Sequence, residues 1–269
     1  MFLAAFEWHI FWERIFHPDH VFAQALWRTI YIAVLAQSFG VVLGLVSALM
    51  RMSKVLPLRT LGGLYVLVVR GTPVIVQIFF IYFGANLFLG FDLFPRTIDV
   101  GLFSLSGAVV AGIVALSINE GAYMSEIIRA GIDSVDKGQM EAARSLGMPQ
   151  RLAMRRIVLP QAARVIVPPL GNEFNNMLKT TSLLAFIGVY ELFLDADIHY
   201  SSTFKPSEYF AAVAFWYLVL TVIWSVIQAW IEGRLAASER GDQLSFWERV
   251  REAWAPVPGR LWRRAPDDR

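Results

Sequence analysis

Residues 141–160 read EAARSLGMPQRLAMRRIVLP, a charged and hydrophilic run inside a chain of 269 residues of which 56% are hydrophobic. Gln139 to Leu146 is a good helix former. Gly147 suits the left-handed position that ends a helix, and Pro149 suits the first turn of the next one. In that second helix Leu152, Ile157 and Val158 alternate with Arg151, Arg155 and Arg156, giving one apolar and one basic face, and Pro160 is expected to stop it. Two readings follow from the residues alone. The hairpin projects from the rest of the chain, with Ala142 and Ala143 beside Glu141 small enough to let a soluble partner approach. Alternatively it lies as an amphipathic loop on anionic lipid.

The text around it belongs to a membrane. Only 17% of residues are charged and the mean hydropathy is +0.50, which soluble domains rarely combine. No residue carries a full charge from Thr29 to Met50, Gly71 to Phe91, Leu102 to Asn119 or Tyr209 to Ile231. Each of these runs can cross a hydrocarbon layer that takes roughly 20 helical residues. A fifth candidate, Val165 to Phe193, carries Asn172, Glu173, Asn175, Asn176 and Lys179 in its middle. The expected fold class is therefore all-α, a polytopic membrane protein of five spans. Gly40 and Gly44 in the first span, and Gly107, Ala108, Ala111, Gly112 and Ala115 in the third, form small-residue stripes of the kind that let helices approach closely.

Basic residues set the orientation, because cytoplasmic loops carry the excess of Lys and Arg. The segments 51–70, 129–164 and the tail after Ile231 hold nineteen of them, against four in the remaining connections. The N-terminus is thus expected outside, and both the quoted hairpin and the C-terminus in the cytoplasm. Residues 1–21, with their mixture of Trp, Phe, Glu and Arg, fit a helix in the membrane interface. Residues 22–232 form the spanning unit with its hairpin at about 133–160, and residues 233–269 a charged tail whose SFWERVREAW piece suits a surface helix.

Several chemistries are excluded or unsupported. The chain has no cysteine, so disulfides, thiol catalysis and Cys-based metal sites are ruled out. It contains no GxxxxGK[ST] phosphate loop and no His-Glu-x-x-His pattern, and its four His residues read as surface groups. No catalytic residue, metal site or nucleic-acid partner is expected. Ionisable groups inside a bilayer line a cavity or pair. Counted from Val165, Lys179 lies roughly 21 Å along a helix. Asn172, Asn176 and Lys179 share one face, Glu173 lies about 100° around from Asn172, and Pro168 with Pro169 should kink the entry. In the third span Asn119, Tyr123 and Glu126 form a polar face with Glu120 beside it. Glu126 and Arg129 read as a local ion pair, and Arg70 as snorkelling or capping a helix end.

The quoted stretch resembles the coupling-loop signature of ABC importer membrane subunits: EAA, three residues, G, nine residues, I, one residue, LP. Glu141, Ala142, Ala143, Gly147, Ile157, Leu159 and Pro160 occupy its fixed positions. VRGTPVIVQIFFIYFG (69–84), INEGAYMSEIIRAGI (118–132), KGQMEAA (137–143) and LPQAARVIVPPLGNEFNNMLKTTSL (159–183) resemble the polar amino-acid subfamily, the histidine and glutamine permease type. The likeness covers roughly residues 22–232.

The resemblance implies a type I importer fold of five spans and a subunit without catalysis of its own, in the inner membrane of a bacterium. A second permease subunit, the same or related, would sit beside it. Two ATP-binding subunits would hold ATP and Mg2+ and dock on the hairpin, where Arg144 and Arg151 flank the signature residues. An extracytoplasmic solute-binding protein would deliver the substrate. Asn119, Glu120, Tyr123, Glu173, Asn176 and Lys179 would line the substrate pathway or make buried contacts between subunits, and their mixed signs suit a zwitterionic amino acid. The alternatives are a permease for another small polar solute and a stand-alone secondary transporter, the second disfavoured by the lack of an internal repeat.

Overall fold

A backbone inside hydrocarbon must satisfy its own polar groups, so apolar runs become helices. The computed structural model describes residues 6–84, 87–88, 90–100 and 103–236; the expected surface helix in SFWERVREAW lies outside them. The helices are α1 (Trp8–Phe16), α2 (His20–Met52), α3 (Leu56–Arg70), α4 (Val74–Phe79), α5 (Gly107–Asp133), α6 (Lys137–Ser145), α7 (Gln150–Ala153), α8 (Leu159–Thr180), α9 (Leu192–Thr203) and α10 (Pro206–Ala236). Three of these are long and apolar enough to cross a membrane, or up to five spans if two bent pairs each count as one.

The first bent pair replaces the expected straight run from Gly71 to Phe91. Leu56–Arg70 and Val74–Gly84 meet at 106°. Pro73 has no N–H to give and stands as N-cap of α4. Two side chains serve the acceptors freed at the break: the Gln77 amide lies 2.7 Å from Val69 O, 3.1 Å from Thr72 O and 2.8 Å from Thr72 Oγ1, and the Thr72 hydroxyl donates to Val68 O at 3.0 Å. The second pair, Gln150–Ile187 with Leu192–Thr203, bends by 49°. Here α8 gives way to a 3-10 turn, Thr181–Ile187, which ends at Gly188 with φ 81°. Glu191 then caps α9, its carboxylate accepting from Phe193 N and Leu194 N at 3.0 Å each. Pro168 and Pro169 lie inside α8 without ending it, and the Gln228 amide from α10 donates to Pro168 O at 3.2 Å.

The expectation of an all-helical chain needs one correction. Thr97–Val100 (β1) and Phe103–Ser106 (β2) pair antiparallel, Thr97 opposite Ser106. The run from Leu102 therefore does not start a helix. FSLS alternates with the two-residue period of a strand, and α5 begins only where Ser106 accepts from Val109 N at 3.3 Å as its N-cap.

The spanning helices meet along small residues. The stripe Ala33, Ala36, Gly40, Gly44 and Ala48 on α2 is buried and runs against α5. A Cβ on Gly40 would stand 2.6 Å from Glu120 Cγ, and one on Gly44 would collide with Met124. The opposite side of α2, with Phe39, Val42 and Val46, is exposed. A central cluster joins α2, α4, α5 and α8 through Ile32, Ile78, Leu116, Met177 and Leu184, and a second joins α2, α9 and α10 through Phe22, Leu192, Ala196 and Val213. α1 runs along the first turns of α10: Glu7 N donates to Glu208 at 2.9 Å, Lys205 pairs with Glu7 at 2.6 Å, and Trp216 Nε1 donates to Arg14 O at 3.2 Å.

Candidate functional site: the charged hairpin and the polar groups of the spans

The hairpin between α5 and α8 owes its shape to local chemistry. Asp136 caps α6, its carboxylate accepting from Gly138 N at 2.7 Å. At the far end Gly147 adopts φ 79°. Gly147 N donates to Arg144 O at 2.9 Å and Met148 N to Ala143 O at 3.1 Å, the paired bonds of a Schellman motif. Pro149 then serves as N-cap of α7, its carbonyl accepting from Leu152 N and Ala153 N. A π-helical turn, Met154–Val158, leads straight into α8. Pro160 accordingly stands in the first turn of α8. It does not stop the previous helix: the chain stays helical from the π turn through Val158 and Leu159 into α8.

Glu141, Ala142, Arg144, Arg151, Gly147, Leu159 and Pro160 are exposed and Ile157 is half-buried. The paired alanines divide: Ala142 faces out, while Ala143 is buried. Leu146 is 84% exposed, an apolar side chain at the tip of a charged hairpin. The sequence marked it only by its place before Gly147.

The polar residues of the spans fall into three places. In the first, Glu120 is 5% exposed, and the Gln37 amide of α2 donates to its Oε1 at 2.9 Å. This contact lies within one chain. In the second, on the neighbouring face of α5, the Asn119 amide donates to Gln77 Oε1 at 3.0 Å, joining the α3–α4 break to α5. One and two turns on, Tyr123 and Glu126 meet arginines from other helices. Arg51 Nη1 lies 2.6 Å from Glu126 Oε1, Arg70 Nη1 lies 3.9 Å from the same oxygen, and the Arg70 guanidinium sits 5.1 Å from the centre of the Tyr123 ring. The expected pair of Glu126 with Arg129 is not formed, since Arg129 turns to Asp133 at 3.7 Å. Arg51 and Arg70 reach Glu126 through tertiary packing that no spacing within one helix announces.

In the third place, Asn172, Asn176 and Lys179 are exposed along one side of α8. Lys179 and Ser182 border a cavity of about 490 Å3 walled by Phe193, Phe210, Val213 and Tyr217. Asn175 turns to α10 and donates to Ser225 Oγ at 3.3 Å. Among the described residues no group of three or more His, Cys, Asp or Glu could hold a metal ion.

The model of one protein family, binding-protein-dependent transport system inner membrane component, matches residues 40–237. The chain belongs to this family. It is a multi-pass protein of the inner membrane and a permease component of a transporter. It is 39% identical over 229 residues to the probable amino-acid permease protein YxeN of Bacillus subtilis, covering 85% of this chain and 97% of that one. It is also 39% identical over 260 residues to the arginine transport system permease protein ArgU of Corynebacterium glutamicum, covering 96% and 80%. The crystal structure of an amino acid ABC transporter with histidines superposes with a TM-score of 0.72 at 40% identity, covering 83% of this chain and 98% of that one. An inward-facing MetNI methionine ABC transporter shares the fold at a TM-score of 0.64 and 16% identity. The permease therefore has the type I ABC importer fold.

Proposed function

We propose that this permease subunit carries a polar amino acid inward across the cytoplasmic membrane, driven by ATP hydrolysis in partner subunits. The observation that carries the reading is the hairpin: an exposed, locally rigid pair of helices with Glu141, Arg144, Arg151 and Leu146 turned outward. Such a surface serves a protein groove better than a lipid surface, because an acid, Glu141, stands exposed among its basic groups and an apolar side chain, Leu146, is presented at its tip. The substrate class rests on the amino-acid names of its relatives and on the mixed-sign groups of the spans.

In this reading five spans place the N-terminus outside and the hairpin and C-terminus in the cytoplasm. A second permease subunit completes the pathway, two ATP-binding subunits hold ATP and Mg2+, and a solute-binding protein delivers from outside. ATP binding closes the ATPases and displaces the hairpins. Short packed helices transmit that displacement, and the spans rock between inward-open and outward-open states. Asn176 and Lys179 supply donors to the substrate along α8. Glu173 follows on α8 with Glu120 behind it at the α2–α5 interface, and Asn119 and Tyr123 line a separate stretch of the pathway on the side of α5 that faces α3 and α4.

Co-purification with an ATP-binding subunit, followed by ATP-driven and binding-protein-dependent uptake across a panel of amino acids, tests the reading. Glu141→Arg should leave the permease folded, since Glu141 is exposed, and should lower uptake about tenfold or more, which corresponds to ~1.4 kcal/mol of coupling. Full-speed uptake by a normally assembled Glu141→Arg transporter would refute the docking role. Glu173→Gln and Lys179→Met variants with unchanged substrate affinity would remove those two residues from the pathway.

A further inference from the structure

A groove of about 550 Å3 opens between α2, α3 and α5, lined by Arg51, Arg70, Tyr123 and Glu126 with Val66 and Leu67 as its apolar wall. It lies apart from the Lys179 cavity, which α8, α9 and α10 enclose with the 3-10 turn. We propose that this groove is a second amino-acid site, binding the zwitterionic end of an amino acid between Arg70 and Glu126. The proposal rests on the amino-acid reading of the permease.

The unmet hydrogen-bonding capacity of the groove carries the inference. Arg51 and Arg70 both turn to Glu126 Oε1, and the Glu126 side chain still keeps 35% of its surface open to the groove. The two arginines are not equivalent. Arg51 is mostly buried, at 14% side-chain exposure, and its 2.6 Å contact fixes the carboxylate. Ser125 Oγ lies 3.4 Å from the same guanidinium nitrogen. Arg70 is 45% exposed and touches Glu126 only at 3.9 Å. A guanidinium has five N–H donors in a planar fork that matches a carboxylate, and Arg70 spends almost none of them on protein.

The spare donors and the open carboxylate therefore sit side by side on one groove. A substrate carboxylate meets the Arg70 fork and its ammonium meets Glu126 Oε2, both as charge-assisted bonds. Tyr123 holds the Arg70 guanidinium over its ring, and Gly63, where an added Cβ would meet nothing within 4 Å, leaves the mouth open for a side chain. A phosphate group would use the arginines but would be repelled by Glu126, so the acid favours a ligand carrying both signs.

The test uses the complete transporter, with its ATP-binding and partner permease subunits, in lipid nanodiscs without the binding protein. L-glutamine and L-arginine are titrated calorimetrically, each beside its decarboxylated amine and its Nα-acetyl form. The amino acids should bind about tenfold or more tightly than either relative, a charged hydrogen bond being lost in each. In a Lys179→Met background, which removes the α8 donor, Arg70→Gln should erase the preference over the decarboxylated amine while keeping the preference over the acetylated form. Glu126→Gln should do the reverse. Should Glu126→Gln fail to assemble because Arg51 loses its partner, Arg70→Gln, which breaks a long ion pair and a contact with the Tyr123 ring, decides alone. The inference falls if both preferences survive in Arg70→Gln on that background, or if a transporter competent in uptake binds no amino acid in the nanodisc. It also falls if Arg70→Gln sheds an anionic phospholipid in native mass spectrometry with amino-acid binding intact. Failure of the functional reading looks different: the wild-type transporter with its binding protein would import none of the panel.

Discussion

Gly44 and Gly147 both exploit the lack of a side chain, and for opposite physical reasons. Gly44 sits in an ordinary helix, where a Cβ would collide with Met124 of α5; what it supplies is space. Gly147 has nothing within 4 Å of an added Cβ but holds φ 79°; what it supplies is conformation. The first belongs to a buried interface whose partner is eighty residues away in sequence. The second belongs to an exposed hairpin whose bonds all run to residues within five positions. A membrane protein without a hydrophobic drive between its helices packs by close approach, while an exposed hairpin keeps its shape by local bonds.

That contrast can be broken by substitution. Gly44→Leu should have the largest effect: a volume forced against Met124 costs on the order of 3 kcal/mol, and the permease should fail to accumulate in membranes, as judged by immunoblot. Normal levels of a stable Gly44→Leu protein would mean that α2 and α5 do not meet as described. Next comes Gln77→Leu at the α3–α4 break. Its amide reaches the part-buried Val69 O and two acceptors on exposed Thr72, and its carbonyl accepts from Asn119; losing it leaves Val69 O and the Asn119 amide short of a partner, for a loss of roughly 1–3 kcal/mol. A lowered melting temperature of the purified transporter is the measurement, and an unchanged one would show that the bend does not depend on this side chain.

Gly147→Val should cost roughly 1–2 kcal/mol for a left-handed residue and Gly147→Asn clearly less, because Asn tolerates that region. The expected order in ATP-driven uptake is wild type, Asn, Val, with little change in protein level. Equal loss for Asn and Val would mean that space, and not φ, is what the position requires. The smallest effect concerns Asp19, the N-cap of α2. The Phe22 backbone N–H at 2.7 Å, and after it Arg14, hold its carboxyl below the usual aspartate range. A depressed carboxylate contributes stability that is present above its unfolded pKa and is lost as pH falls through the folded value. Thermal stability should therefore drop on the acid side, and Asp19→Asn should flatten that slope. A slope of the same size in Asp19→Asn would assign it to another acid.

The hairpin was the legible part because each of its features is short-range: a helix former, a glycine, a proline and a cap within a dozen residues. Even there, the sequence misplaced Pro160 as a terminator and treated Ala142 and Ala143 alike, since which alanine faces inward depends on what α6 packs against. The spans were legible as apolar runs but not as straight rods. Arg70, Gly71 and Pro73 mark a break, yet its 106° angle depends on Gln77 reaching back and on Asn119 tying it to α5. The Glu126 pairing was misread because the i,i+3 neighbour was visible in the sequence and the partners on α2 and α3 were not.

By itself, the sequence determined that this chain crosses a membrane, that it carries an exposed charged hairpin bent at a glycine, and which family it belongs to. These properties follow from composition, from residues a few positions apart and from a motif of fixed spacing. Only the tertiary structure decided where spans break, which face of α5 meets Gln37 and which meets Gln77. It also decided that Arg51 and Arg70, nineteen positions apart, converge on one carboxylate. Side-chain partners across helices depend on crossing geometry and on where glycines permit contact, and no periodicity along a single segment encodes either.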